Sequence, residues 1–95
     1  MNMIPFNLWS KQRIAEGCKV CTSRHKRYVD DPRVDYITEL MPWGVIKKYL
    51  WRLEGACGPT ELQNVIEGIY KRVVPDTELF FVHFGNYEVG GGEGG

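Results

Sequence analysis

Apolar alternation and helical spacing divide the chain into seven segments. Residues 3–7 (MIPFN) read as a short extended piece, with Pro5 suited to an edge strand or a strand start. Residues 8–16 (LWSKQRIAE) read as a helix. Leu8, Trp9 and Ile14 give it a ragged apolar face, and Gly17 stands where a left-handed residue would stop it. Residues 18–25 (CKVCTSRH) read as a strand carrying the β-formers Val20 and Thr22. A loop follows, with the basic pair Lys26–Arg27 and the turn signal Asp30–Asp31–Pro32. Residues 33–40 alternate Val34, Tyr36 and Thr38 against Asp35, Ile37 and Glu39, which predicts a second strand.

A helix is expected to open at Met41–Pro42, proline being favourable near a first helical position. Ile46, Tyr49, Leu50 and Leu53 recur at i, i+3, i+4 and i+7, and Gly55 ends the pattern. A third helix opens at Gly58–Pro59–Thr60 and keeps Leu62, Val65, Ile66, Ile69, Tyr70 and Val73 on one face. Pro75–Asp76 makes the turn out. Residues 78–85 (ELFFVHFG) form a continuous apolar strand with Phe80, Val82 and Phe84 on one side. The expected order is β-α-β-β-α-α-β. This is an α+β domain spanning residues 1–87, with four strands, three helices and a disordered glycine-rich tail over 88–95.

Composition narrows the function classes. Twelve Lys+Arg balance twelve Asp+Glu, so there is no global positive field for holding long nucleic acids. A small basic pocket remains open. No apolar run reaches the ~18 residues of a membrane span, and the opening MNMIPFNLWSKQR lacks the pattern of a signal peptide. Three cysteines do not make a disulfide framework, and a reducing cytoplasm is the expected compartment.

The stretch GCKVCTSR, residues 17–24, presents a C-x-x-C. Zinc needs four converging ligands, whereas residues three apart on a strand point to opposite faces. No second C-x-x-C exists, and Cys57, His25 and His83 stand alone. A thioredoxin-like pair would open a helix, which this one does not. The cysteines therefore read as small structural residues, and neither a metal nor a cofactor is expected.

With the sulfurs set aside, the stretch becomes G-x-K-x-x-T-x-R. Following a short N-terminal helix, it resembles the activating-signal-cointegrator homology (ASCH) domain, a relative of the PUA barrel. KKYLWRLEGACGPTEL is similar to that family's segment in which a helix ends in an acidic-glycine pair before a proline-led helix. ELFFVHF is similar to its closing aromatic strand. The resemblance covers roughly residues 4–87. It implies a PUA-like, partly open β-barrel of about four to six strands with about three flanking helices. VDDPRVD stands where the family has a further strand, so one cleft wall is expected to be missing or supplied by another subunit.

The resemblance also implies a chemistry. A small branch of the family, the N4-acetylcytidine amidohydrolases, uses a lysine, a threonine and a glutamate to cleave an exocyclic amide. By motif position these fall on Lys19, Thr22 and, with a one-residue gap, Glu54; Arg24 matches the motif's arginine. Two assignments stay open. In one, Thr22 attacks and Lys19 takes its proton. In the other, Glu54 activates water and Lys19 stabilises the oxyanion. Strict alternation separates Lys19 from Thr22, so the strand must begin after Lys19 or bulge between them.

Candidate substrate contacts are Arg24, His25, Tyr28, Tyr49 and His83, while Trp43 and Trp51 read as core or interface residues before base-stacking ones. The expected partner is a nucleoside or nucleobase, for a monomer or homodimer with no membrane association. The alternative is a non-catalytic RNA- or nucleotide-binding module, or a weak ribonuclease, using Arg24, His25, Lys26 and Arg27 on phosphate.

Overall fold

The computed structural model describes residues 3–88. It holds three helices and a three-stranded antiparallel sheet: α1 (Leu8–Ala15), β1 (Cys21–Arg24), β2 (Val34–Pro42), α2 (Trp43–Tyr49), α3 (Pro59–Tyr70) and β3 (Leu79–Gly85). β3 is central, in the order β1-β3-β2, and the sheet is open. The α+β class and the helix count agree with the hydrophobic pattern. The expected tail lies outside the described residues, Glu88 apart.

The expected fourth strand is absent from the sheet, for a local reason. Pro5 has no N–H to give, and neighbouring side chains take three other main-chain groups of segment 3–7. The Ile4 N–H donates to Asp31 Oδ2 at 2.9 Å, Arg33 Nη2 donates to the Ile4 carbonyl at 3.0 Å, and Arg24 Nη2 donates to the Pro5 carbonyl at 2.8 Å. The segment is extended but bonded to side chains, which leaves little for a ladder.

Three boundaries shift. β1 begins at Cys21 instead of residue 18. Met41 and Pro42 belong to β2, opposite Phe80 and Leu79, and α2 starts only at Trp43. α2 also stops at Tyr49 because the next residues turn toward β1, where the Leu53 carbonyl accepts from Val20 and Cys21. The strict alternation expected along β2 is broken by register shifts at Val34/Tyr36 and Ile37/Leu40. Ile37 and Thr38 are consecutively half-buried as a result, and Thr38 Oγ1 accepts the Val82 N–H at 3.0 Å.

Two apolar clusters flank the sheet. The larger joins Cys21, Trp43, Ile46, Leu62, Ile66, Val74, Phe80 and Val82 beneath α2 and α3. Trp43 is fully buried there and its Nε1–H donates to Gln63 at 2.7 Å, so it is a core residue. Ile4, Ile14 and Tyr87 form the smaller cluster. Phe80 and Val82 face the larger core as their spacing predicted, whereas α3 ends before Val73, which is exposed beyond the left-handed Lys71 (φ 58°).

Candidate active site

The site is assembled where the turn after α2 meets the start of β1. Val20 and Cys21 donate their N–H groups to the Leu53 carbonyl at 2.8 and 3.2 Å, pinning that turn to the strand. Gly55 lets it come close. Its φ of +95° lies in the left-handed region, and a Cβ there would stand 3.0 Å from Arg13 Cβ and 3.1 Å from Lys19 Cβ. Glu54 is thereby driven under Lys19. Lys19 Nζ donates to Glu54 Oε1 at 3.0 Å and to the Glu54 carbonyl at 3.0 Å. Ser23 Oγ donates to the other carboxylate oxygen, Oε2, at 2.5 Å.

This ion pair is almost fully dry, its side chains 3% and 4% exposed. Taking two charges out of water costs several kcal/mol per ion, which their attraction repays only with good geometry and further hydrogen bonds. An ammonium has three N–H donors, and Glu54 occupies two of those on Lys19. The third has no bond among the described residues.

A cavity of about 30 Å³ adjoins the pair, along the outer edge of β1 between α1 and α3. Lys19, Thr22, Ser23, Arg24 and Glu54 line it on the strand side, and Trp9, Val65, Ile69 and Tyr70 on the helix side. The volume is about that of one water molecule. Trp9 brings its ring within 5.8 Å of Lys19 Nζ.

Of the candidate residues, the structure brings Lys19, Thr22, Glu54 and Arg24 to this one cavity. The strand does begin after Lys19, as their convergence requires. Thr22 is buried on the wall, but it is Ser23 that hydrogen-bonds Glu54. Arg24 extends its guanidinium over the Phe6 ring (5.4 Å) and onto the Pro5 carbonyl.

The other four lie elsewhere. His25 is outside the cavity, with Nε2 at 2.6 Å from Glu78 and its ring stacked on Phe80 (4.5 Å, 20°). Tyr28 packs edge-on against His83, and Tyr49 is exposed on α2 beneath Lys48. His83 is fully buried, and the backbone fixes its tautomer. Nε2 accepts from the Tyr28 N–H at 3.0 Å, so Nδ1 carries the proton and donates to the Phe81 carbonyl at 3.0 Å. Burial lowers its pKa from the ordinary value, and the ring stays neutral.

Ser23 is the cavity residue that the motif reading passed over. On β1 it shares a face with Cys21, toward the core cluster. A hydroxyl on that parity needs a buried partner, and that requirement was the available signal. The Cys21 thiol, pushed up first by burial and then by the Glu54 carboxylate, is held protonated and inert.

Among the described residues no three His, Cys, Asp or Glu side chains cluster as a metal site, and no helix is long and apolar enough to cross a membrane. Compared with protein-family models, curated proteins and solved structures, the chain matches none.

Proposed function

We propose that the chain is a small ASCH-type domain of PUA-like architecture whose cleft hydrolyses the exocyclic amide of an N4-acylated cytosine base or nucleoside. One observation carries this reading. Lys19, Thr22 and Glu54, the three residues assigned by motif position, line a single cavity, with Lys19 Nζ 3.0 Å from the Glu54 carboxylate. The three-stranded sheet supplies one wall of the partly open barrel. Segment 3–7, tied down by Arg24, Asp31 and Arg33, supplies another.

Amide hydrolysis needs a base at the attacking group and a donor at the developing oxyanion. Glu54 is the base. The spare N–H of Lys19, with the Thr22 hydroxyl beside it, is the oxyanion donor. The net reaction adds water across the C–N4 bond and releases the free amino group and a carboxylic acid, which ionises to a carboxylate and a proton. A pyrimidine is larger than the present cavity, so binding requires the Ile69–Tyr70 wall to swing outward; Ile69 is already 44% exposed.

Purified protein incubated with N4-acetylcytidine and followed by absorbance is expected to convert it to cytidine. Lys19→Ala is expected to lower kcat by about 10²–10³-fold. Turnover equal to wild type in that variant, or none in the wild type, would refute the assignment.

A second reading rests on Lys26 and Arg27. Both are exposed, with their cations over the Tyr28 (5.0 Å) and Phe81 (5.9 Å) rings, and neither is ion-paired among the described residues. They would hold RNA phosphates. That reading predicts binding to a single-stranded RNA oligonucleotide that weakens with added salt and is lost in Lys26→Gln/Arg27→Gln. Salt-independent binding would exclude it.

A further inference from the structure

We infer that Ser23 is the nucleophile of this cleft, receiving the acyl group as an ester before water removes it. The inference rests on the amide-hydrolysis reading for its natural substrate, and on the hydrogen-bond pattern for its chemistry.

A hydroxyl attacks only when a neighbour takes its proton, and the signature is a nucleophile within hydrogen-bond reach of a base that a third group orients. Among the described residues this arrangement is met around Glu54. Ser23 Oγ donates to Oε2 at 2.5 Å, while Lys19 holds Oε1 and the Glu54 carbonyl at 3.0 Å each. Thr22, one residue earlier on the opposite face of β1, makes no bond to the carboxylate, which is held by Lys19 and Ser23. It borders the same cavity as Lys19.

The steps balance. As the Ser23 Oγ–acyl carbon bond forms, the hydroxyl proton passes to Glu54 Oε2, and the carbonyl electrons move onto the oxygen facing the Lys19 ammonium. Collapse breaks the C–N4 bond, and Glu54 returns its proton to the departing amine. A water in the cavity, which has room for about one, then gives its proton to Glu54 and attacks the ester. Ser23 Oγ leaves with that proton, and the product departs as the carboxylic acid, which loses its remaining proton to solvent.

The test uses the full chain and two acyl donors. Reaction with p-nitrophenyl acetate, quenched in acid, is expected to give a stoichiometric burst of nitrophenolate and one acetyl group mapped by peptide mass spectrometry to Ser23. Ser23→Ala is expected to lose both the burst and the label. It is also expected to hydrolyse N4-acetylcytidine at least about 10³-fold more slowly, the scale at which a nucleophile dominates. Ser23→Cys keeps the size and a nucleophile, and is expected to trap a hydroxylamine-sensitive thioester at residue 23. Should the label map to Ser23 while N4-acetylcytidine is not turned over, the nucleophile stands and the substrate reading falls. Turnover in Ser23→Ala within about two-fold of wild type overturns the inference. So does an acetyl group found on Thr22, or no label on residue 23 in either the wild type or Ser23→Cys.

Discussion

Two buried carboxylate–cation pairs stand among the described residues, and they are built to opposite specifications. Asp31 is saturated. Its Oδ1 accepts from the Arg33 N–H and Nε at 2.9 Å each, and its Oδ2 accepts from the Ile4 N–H at 2.9 Å and Arg33 Nη2 at 2.6 Å. Arg33 reaches on to the Ile4 carbonyl, so the pair staples the N-terminal segment to the β2 approach. Glu54 has fewer partners. Lys19 retains a donor and Ser23 a transferable proton, and a cavity opens beside them. Saturation holds a fold together, whereas chemistry needs groups with capacity in reserve.

The comparison breaks most visibly when charges are removed singly and then in pairs. Lys19→Met and Asp31→Leu each leave a buried charge without its partner, and each is expected to cost about 3–5 kcal/mol in chemical denaturation. The double variants are expected to diverge. Lys19→Met/Glu54→Leu recovers most of that loss, because apolar residues of similar volume replace a buried ion pair at little cost. Asp31→Leu/Arg33→Met stays destabilised, since the main-chain groups of Ile4 lose their partners at about 1–3 kcal/mol each. Equal recovery in both would remove the distinction.

Next in size is the approach that makes the Lys19–Glu54 contact. Gly55→Ala imposes a side chain at φ +95° and against Lys19 Cβ and Arg13 Cβ. It is expected to cost about 1–3 kcal/mol and to lower turnover per folded molecule. Unchanged turnover would show that the turn does not set the site.

Acid titration separates two steps. His83 is neutral when folded, so the unfolded chain binds the extra proton and stability falls as pH drops through about 6.5. Burial pushes Asp31 up, but the hydrogen bonds from Arg33 and the Ile4 N–H outweigh it and hold the carboxyl at about 2. Its contribution, present above its unfolded pKa near ~4, is lost as pH falls from there toward the folded value. Tm measured against pH is expected to show both steps, and His83→Gln only the lower one. A single step in both proteins would contradict this account of His83.

The smallest effect belongs to the surface. Arg72, with His25 assisting, holds Glu78 at about 2, yet Arg72 and His25 are 45% and 44% exposed. Arg72→Gln is expected to leave the denaturation midpoint almost unchanged in the same assay, since an ion pair this exposed is screened by solvent. A loss on the scale of Asp31→Leu would mean that this cluster too is a staple.

What could be read from the sequence depended on whether the cause was local. The faces of α3 and β3 were legible because Leu62, Ile66, Phe80 and Val82 repeat at their element's own period. Segment 3–7 misled because the side chains that claim its backbone come from residues 24, 31 and 33. α2 looked a turn longer than it is because the Leu53 carbonyl is taken by β1, a contact that no helical period records. In the site, Lys19, Thr22 and Glu54 were visible through motif spacing. Ser23 was not, since strand parity turns it away from Thr22, and only the arrival of Glu54 gives that face a polar role.

The most direct test sets the two carboxylates side by side. Turnover of N4-acetylcytidine per folded molecule, with the folded fraction taken from the near-ultraviolet circular dichroism of the same samples, is measured for Glu54→Gln and Asp31→Asn. Glu54→Gln is expected to be inactive even where fully folded, and Asp31→Asn, although less stable, is expected to turn over at the wild-type rate per folded molecule. Equal activity in the two variants, or a Glu54→Gln protein as active as wild type, would contradict the assignment of one pair to chemistry and the other to the fold.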